Sequence, residues 1–283
     1  MSWGLENRLS RIIRPEDNRT VMLAVDHGYF LGPTSGLECM SESIVPLAPY
    51  ADTLMLTRGM LRAEIPSTVN TPIVLRVSGA NSVLDDDLSN ETIITDIDEV
   101  IRLNAAGMAL SIFVGSPHQH QTIANLAKLI DLGERYGIPV IAVTAVGKDM
   151  VRDARYLALA TRIAAEMGAH IVKTYYVEDD FERITGTCPV PVVMAGGKKL
   201  PERDALEMTY SAISRGAAGV DMGRNIFQSD SPLGMIKAVN AVVHGGASVD
   251  EAYTVYMDEK PKGRKKSAAR GKKKIAADDS RKI

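Results

Sequence analysis

The chain has 283 residues, of which 45% are hydrophobic, 24% charged and only 5% aromatic, and its formal net charge is −2. This length suffices for one large α/β domain, and the aliphatic composition suits buried parallel strands. Two cysteines, Cys39 and Cys188, are too few for a disulfide framework or a thiolate metal site, which excludes a disulfide-stapled secreted domain. Because no apolar run reaches membrane-spanning length and no leader pattern opens the chain, we expect a cytoplasmic protein without a membrane partner.

The first predicted element is an amphipathic helix within residues 1–20. Its apolar side carries Leu5, Leu9 and the pair Ile12–Ile13. No residue of this stretch suggests chemistry. We therefore expect a helix that caps the amino-terminal mouth of the following domain.

Eight short apolar, mostly β-branched runs then recur along the chain, separated by helix-like stretches such as 121–136, 156–167 and 203–215. The runs are 21–26, 53–57, 73–77, 110–115, 140–144, 171–175, 192–195 and 219–223. Several are apolar on both faces, as in parallel strands covered by helices outside and by a packed interior. Strand and helix alternating eight times predict a single (β/α)8 TIM barrel.

An open doubly wound sheet is the structural alternative, since it also alternates strands and helices. That fold would place a G-x-G-x-x-G fingerprint after its first strand. Here the first strand ends in Asp26-His27-Gly28, and the glycine-rich turns come late, at Gly196-Gly197 and Gly223. Late glycines favour a barrel with a phosphate site.

Functional groups of barrel enzymes lie at the carboxyl ends of the strands. After strand one, Asp26 is a candidate for proton transfer or for accepting a substrate hydroxyl, and His27 is a further candidate. If the pleat of the strand continues, the two side chains point to opposite faces, so only one enters the site. The alternative is a turn-capping Asp beside a hydrogen-bonded His.

The ends of strands three and four provide weaker candidates for functional residues. Ser78 to Asn81 after strand three either supply polar contacts or only turn the chain. His118 and His120 form an H-x-H pair, but no nearby carboxylate and histidine constellation completes a metal site, and Ser116-Pro117-His118 is typical of a helix start. We therefore expect no metal.

Lys173 lies inside the apolar sixth run, where an unpaired ammonium is costly to desolvate. Burial beside other cations would keep part of it neutral and nucleophilic, ready to condense with a ketone. The alternative is a lysine that reaches solvent or pairs with an acid. Lys148, which follows a glycine after strand five, is a second cationic candidate or an ordinary surface lysine.

The turns after strands seven and eight contain Gly196-Gly197 and Gly223-Arg224. Barrels commonly hold phosphate at these two turns with backbone N–H groups, which glycine lets approach the anion. Arg224 would add a contact to the phosphate oxygens, or it pairs with an acid such as Asp221. The position of both turns favours a phosphorylated substrate.

The last two dozen residues differ in charge from the rest of the chain. Residues 260–283 hold 11 of the 33 Lys and Arg but 2 of the 35 Asp and Glu, which leaves a net charge of −11 on residues 1–259. Apolar patterning stops at Lys260. We predict a barrel domain over 1–259 and a flexible basic tail over 260–283, able at most to hold anionic partners such as nucleic acid weakly.

Four of these motifs together resemble the archaeal-type class I aldolase superfamily, over residues 3–257. They are Asp26-His27-Gly28, Val172-Lys173-Thr174-Tyr175-Tyr176, Ala195-Gly196-Gly197-Lys198 and Gly223-Arg224-Asn225-Ile226-Phe227-Gln228. The resemblance implies a Schiff base on Lys173 and an acid/base role for Asp26, with His27 and Lys148 as further candidates. It also implies phosphate contacts from the glycines at 196, 197 and 223 and from Arg224.

One departure from the family pattern bears on the reaction. Fructose-bisphosphate aldolases of this superfamily carry a Tyr-Pro-Arg-Gly turn after strand five, whose tyrosine is the proton donor, whereas this chain has Thr144-Ala145-Val146-Gly147-Lys148. The resemblance thus favours the thiolase branch, with a phosphorylated small ketone as substrate, coenzyme A as co-substrate and a ring-like homo-oligomer, a decamer. A phosphoketose aldolase and a sugar-phosphate-binding regulator remain the alternatives.

Overall fold

The computed structural model describes residues 2–145 and 153–260. Within these ranges eight parallel strands close into a barrel, each paired with the strands before and after it in sequence. They are β1 (Thr20–Ala24), β2 (Thr53–Thr57), β3 (Ile73–Arg76), β4 (Gly107–Ile112), β5 (Val140–Thr144), β6 (Ile171–Tyr175), β7 (Val192–Ala195) and β8 (Gly219–Met222). Pairing of β8 with β1 closes the ring. The predicted TIM barrel is confirmed.

One helix precedes the first strand, and the others follow strands along the chain. They are α1 (Trp3–Ile12), α2 (Gly28–Leu31), α3 (Met40–Ser43), α4 (Arg58–Glu64), α5 (Ile97–Arg102), α6 (Gln119–Tyr136), α7 (Ala154–Glu166), α8 (Phe181–Thr187), α9 (Glu202–Ser214), α10 (Arg224–Phe227), α11 (Pro232–Val243) and α12 (Val249–Glu259). A short hairpin, Ser78–Gly79 with Thr92–Ile93, lies in the connection after β3. Across the described residues no helix is both long and apolar enough to cross a lipid bilayer.

The fourth strand begins three residues earlier than the apolar run predicted. β4 pairs with β3 from Gly107↔Val74 and with β5 as far as Ile112↔Thr144, so it occupies Gly107–Ile112 rather than 110–115. Phe113 and Val114 lie beyond the strand but are buried too. The apolar run therefore predicts burial, whereas pairing with β3 decides where the strand starts and pairing with β5 decides where it ends.

Helix α1 closes the amino-terminal end of the barrel, as predicted. Ser2 Oγ accepts a hydrogen bond from Leu5 N at its start. Leu5 is fully buried, and Ile12 packs into a layer of inward-facing side chains from the strands, among them Met22 and Met55. Because this end is filled, a ligand can enter only at the opposite end, where the carboxyl ends of the strands lie.

A cluster of charged side chains fastens the loop after α1 to the starts of β1 and β2 and to the end of α11. His244 Nδ1 lies 2.6 Å from Asp17 Oδ2, and His244 Nε2 lies 2.9 Å from Asp52 Oδ2. Asp52 also accepts hydrogen bonds from Arg14 Nε and Val21 N. Burial opposes the imidazolium, but the hydrogen bonds to the two carboxylates outweigh it and raise the pKa of His244.

This cluster makes stability depend on pH in a defined direction. Because the pKa of His244 in the folded state is raised above its ordinary 6.5, its contribution is complete below that value and is lost as the pH rises through the raised pKa. Replacing His244 by Gln should lower the free energy of unfolding by about 1–2 kcal/mol more at about pH 5.5 than at about pH 9. Urea unfolding at both pH values measures this, and equal losses would contradict it.

Candidate active site

Seven of the predicted site residues line a single cavity at the carboxyl ends of the barrel strands. They are Asp26, His27, Lys173, Gly196, Gly197, Gly223 and Arg224. The eighth, Lys148, lies outside the described residues. Four separate strand ends, those of β1, β6, β7 and β8, contribute these groups, which is why residues far apart in sequence meet.

Lys173 projects from β6 into the cavity and pairs with a carboxylate from β8. Its Nζ lies 2.8 Å from Oδ2 of Asp221, whose side chain is completely buried, while the lysine side chain is 12% exposed. Asp221 therefore partners Lys173 and not Arg224, which corrects the alternative drawn from sequence. Burial raises the pKa of Asp221, although the Lys173 cation opposes that rise. A carboxyl group so poised can take a proton from the neighbouring amine and return it.

Asp26 and His27 both enter the cavity, contrary to the prediction that the pleat would turn one of them away. The pleat does not continue, because β1 ends at Ala24 and His27 has helical torsion angles, φ −53° and ψ −30°. The His27 ring contacts Phe227 edge to face, with the ring centroids 5.7 Å apart. The bend after β1 thus brings two groups capable of proton transfer to the same face.

His27 is held as the neutral imidazole. Its pKa is lowered to about 4, mainly by burial and also by the cations of Lys173 and Arg224, against the opposing effect of Asp26. Its Nδ1 is buried without a hydrogen-bond partner among the residues the structure describes. Because it is unprotonated near neutral pH, this ring can accept a proton from a thiol or hydroxyl in the cavity.

The turns after β7 and β8 form an anion cradle. Gly197 has a φ of +66°, and the space that a side chain would occupy there is open. Arg224 Nη2 donates to Gly197 O at 2.9 Å, and Asn225 Nδ2 donates to Gly196 O at 2.6 Å, which fixes the turn. Within the described ranges, Arg224 Nε is buried without a hydrogen-bond acceptor. An unpaired cationic donor beside an open glycine turn fits a phosphate group.

Gly223 joins the cradle to His27. A Cβ at this position would lie 2.3 Å from Ala24 O and 2.5 Å from His27 Cε1. Since side chains do not tolerate such contacts, only glycine lets β8 pass this close to the bend after β1. The close approach keeps the cradle beside the histidine.

A buried polar network lies on the opposite side of the cavity. Of the stretch predicted either to supply polar contacts or only to turn the chain, Ser78 and Asn81 donate to Glu91, whereas sequence reasoning missed Arg76 and Glu91. Arg76, the last residue of β3, has a side chain only 4% exposed, and its Nη2 lies 3.1 Å from both carboxylate oxygens of Glu91. Tyr29 Oη donates to Glu91 Oε1 at 2.7 Å, and Ser78 Oγ donates to Glu91 Oε2 at 2.6 Å. Burial by itself would lower the pKa of Arg76, but Tyr29 and Glu91 raise it. The signal was present, since Arg76, like Lys173, is a charge inside an apolar run.

The histidine pair after β4 does not contribute to the cavity. His118 precedes α6, as its Ser-Pro-His context indicated, and His120 lies in the first turn of that helix. His118 Nε2 is 3.8 Å from Asp87 Oδ2. Between residues 2 and 145 and between 153 and 260, no group of three His, Cys, Asp or Glu side chains is arranged to hold a metal ion.

A TIM barrel with a lysine and carboxylate pair at its mouth and glycine turns after β7 and β8 has the features that a Schiff-base aldolase needs. A model of the DeoC/LacD family aldolases matches residues 20–229. The chain belongs to this family and is an enzyme of the Schiff-base aldolase class. The family resemblance drawn from the four motifs is confirmed.

Relatives within this class carry more specific names. The chain is 59% identical over 259 residues to the 3-hydroxy-5-phosphonooxypentane-2,4-dione thiolase of Yersinia pseudotuberculosis, covering 92% of this chain and 89% of that protein. It is likewise 59% identical over 260 residues to the thiolase of that name from Photorhabdus laumondii, with the same coverage. Among solved structures it resembles an archaeal fructose-1,6-bisphosphate aldolase whose catalytic Lys is covalently bound to the carbinolamine intermediate of the substrate, with a TM-score of 0.77, 25% identity, and 85% and 100% of the two chains covered.

Proposed function

We propose that this enzyme transfers the acetyl group of 3-hydroxy-5-phosphonooxypentane-2,4-dione to coenzyme A, giving acetyl-CoA and glycerone phosphate, in the breakdown of phosphorylated autoinducer-2, a quorum-sensing signal. The observation that carries the proposal is the 59% identity to thiolases of this name across almost the whole of both chains. The cavity supports it, because it combines a lysine, a neutral histidine and an anion cradle.

Each half of the substrate has a counterpart in the cavity. The cradle of Gly196, Gly197, Gly223 and Arg224 binds the phosphate, which brings the adjacent ketone carbon to Lys173. The lysine amine attacks that carbon and water leaves, so that a cationic iminium replaces the carbonyl. Asp221, 2.8 Å from Nζ, takes up the proton that the ammonium must first lose.

The iminium then acts as an electron sink. The thiol of coenzyme A gives up its proton to His27 or Asp26, and the sulfur attacks the acetyl carbonyl carbon. Breaking the carbon–carbon bond releases acetyl-CoA and leaves its electron pair as an enamine on Lys173. The enamine carbon takes up a proton, equivalent to the one the thiol lost. Hydrolysis of the resulting iminium then releases glycerone phosphate and consumes one water, which balances the water lost when the iminium formed. No step requires a metal.

A class I fructose-bisphosphate aldolase is the second candidate, favoured by the similarity to the archaeal aldolase structures at about a quarter identity. The residues at the end of β5 argue against an aldolase reaction. Thr144 is buried and donates through Oγ1 to Thr174 Oγ1 at 2.8 Å, so this strand end presents no phenol that could protonate a departing aldehyde. Lys148, a further candidate in this loop, stays a prediction because it lies outside the described residues.

The test supplies the purified enzyme with the phosphorylated pentanedione, with and without coenzyme A, and quantifies acetyl-CoA and glycerone phosphate. Equimolar products that form only with the thiol present are expected. Cleavage of fructose 1,6-bisphosphate without coenzyme A would favour the aldolase instead. A chain that binds the phosphoketone but turns over neither substrate would be the sugar-phosphate-binding regulator.

We further propose that the enzyme works in the cytoplasm as a ring-like decamer. The free cysteines Cys39 and Cys188 suit a reducing compartment, and the decamer follows from the family resemblance. Light scattering is expected to give ten times the chain mass of 30.6 kDa. A monomer or dimer at micromolar concentration would contradict the ring.

The boundary between barrel and tail is likewise a proposal. Helix α12 ends at Glu259, and Lys260 Nζ lies 3.0 Å from Asp230 Oδ2, whereas 261–283 lie outside the described residues. We expect a chain that ends after Lys260 to keep kcat within about twofold, because the tail composition cannot support a packed core. Weak, salt-sensitive retention on nucleic acid should disappear. A large loss of turnover in the well-folded shortened protein would assign the tail a catalytic task.

A further inference from the structure

We infer that Arg76 is the cation that stabilises the oxyanion formed when the thiolate attacks the acetyl carbonyl. This role rests on the proposed function and specifies a part of it that no similarity assigns. It concerns the side of the cavity opposite the anion cradle, where the acetyl end of the substrate must lie.

Two of the three guanidinium nitrogens of Arg76 donate hydrogen bonds to the described residues, and the third does not. Nε donates to Ser78 O at 3.2 Å, and Nη2 contacts Glu91, Tyr29 and Ser111. Within the described part of the chain, Nη1 makes no hydrogen bond; it lies 3.7 Å from Asp26 Oδ2, beyond hydrogen-bonding distance. A cavity-lining guanidinium that four residues hold through Nε and Nη2, and whose Nη1 makes no hydrogen bond to those residues, is pre-organised for an incoming oxygen.

The barrel places Arg76 across the cavity from the cradle. The residue ends β3, and in a closed ring of eight strands β3 lies opposite β7, which carries Gly196 and Gly197 at its end. Lys173 on β6 lies between them along the ring. A substrate with its phosphate in the cradle and its ketone carbon on Lys173 therefore extends its acetyl group toward β3 and Arg76.

The charge of the guanidinium matches the charge that the reaction creates there. As the carbon–sulfur bond forms, the carbonyl π electrons move onto oxygen, and Nη1 donates one N–H to the resulting oxyanion. When the carbonyl re-forms and the carbon–carbon bond breaks, the electron pair moves to the iminium on Lys173 and the oxygen becomes neutral again. Arg76 thus binds the transition state more tightly than the ketone, which is the condition for raising kcat. The buried Glu91 and the nearby Asp26 keep the cation in place.

The test separates thiolysis from Schiff-base formation. Arg76→Met alone would leave Glu91 buried and unpaired, so it is combined with Glu91→Gln, and Glu91→Gln alone reports the effect of the partner. Arg62→Met is the matched control, because Arg62 also pairs with a buried glutamate, Glu99, but lies outside the cavity. Each variant is assayed for acetyl-CoA formation and for borohydride-trapped glycerone phosphate on Lys173, a ligand that lacks the acetyl carbonyl.

We expect the double variant to lose about 10²- to 10³-fold in kcat while trapping of glycerone phosphate stays within about threefold of wild type. Arg76→Lys should recover part of the loss, and the Arg62 variant should match wild type. Equal losses in both assays, unchanged turnover, or a loss as large in Glu91→Gln alone would overturn the role of Arg76. If wild type itself neither traps glycerone phosphate nor makes acetyl-CoA, the proposed function fails instead.

Discussion

Replacing Lys173 by Arg should abolish turnover, with kcat falling by at least about 10³-fold, because an arginine cannot form an iminium. The substitution keeps a cation beside Asp221, whose carboxylate lies 2.8 Å from Lys173 Nζ in the native site. The buried ion pair is therefore retained in charge, and the fold should survive. Lys173→Met is the complementary variant, since it removes the cation as well.

Trapping identifies the residue directly. Incubation of wild type with glycerone phosphate and borohydride should reduce the iminium to a stable secondary amine, located on Lys173 by peptide mass spectrometry. Lys237→Arg is the control, since Lys237 pairs with Glu259 on the surface at 2.5 Å and lies outside the cavity. An adduct on another lysine, Lys148 for example, or full turnover by the Lys173 variants, would assign the covalent role elsewhere.

The fold could be predicted largely because a barrel strand is buried on both of its faces. All five residues of β1 are buried, since helices cover one face and the interior packs against the other, so the strand forms a continuous apolar run. The same property explains the misplaced start of β4. Phe113 and Val114 extend the apolar run past the last residue paired with β5, and only the pairing of Gly107 with β3 shows where the strand begins.

The candidate site was predictable where one residue carried its own signal. Lys173 is a charge in an apolar strand, and Gly197 needs the left-handed backbone that glycine provides. The side-chain pairs were not predictable, because they join distant parts of the chain. Asp221 on β8 and Lys173 on β6 come together across β7, which lies between these strands in the barrel. The orientation of His27 depended on the bend after Ala24, which the dipeptide Asp-His does not specify.

Asp221→Asn should slow Schiff-base formation by about 10²- to 10⁴-fold while leaving phosphate binding almost unchanged. The carboxylate is completely buried against Lys173 Nζ, so it is placed to accept the ammonium proton before the amine attacks. An amide of the same size cannot accept that proton. The cradle of Gly197 and Arg224 does not involve this carboxyl, so affinity for glycerone phosphate should persist.

The stability of this variant can be anticipated from the same geometry. Burial raises the pKa of Asp221 even with a lysine beside it, so the folded state disfavours the ionised carboxylate relative to the unfolded chain. Above the ordinary pKa of 3.8 the ionised group therefore costs stability, and a neutral amide removes that cost. The substitution also removes the negative charge that pairs with the Lys173 ammonium, which lowers stability. The two effects offset each other in part. We therefore expect Asp221→Asn to fold, and its circular dichroism spectrum should match that of wild type.

A single-turnover experiment distinguishes this role from a structural one. The rate of borohydride-trapped adduct formation is measured against glycerone phosphate concentration, so that the rate at saturation and the dissociation constant are obtained separately. Asp230→Asn is the matched control, because Asp230 pairs with Lys260 at the exposed end of α12. The expected result is a lower saturating rate with an unchanged dissociation constant in Asp221→Asn alone. A wild-type saturating rate would show that Lys173 loses its proton by another route, and a weakened dissociation constant at wild-type rate would make Asp221 a support for the cradle.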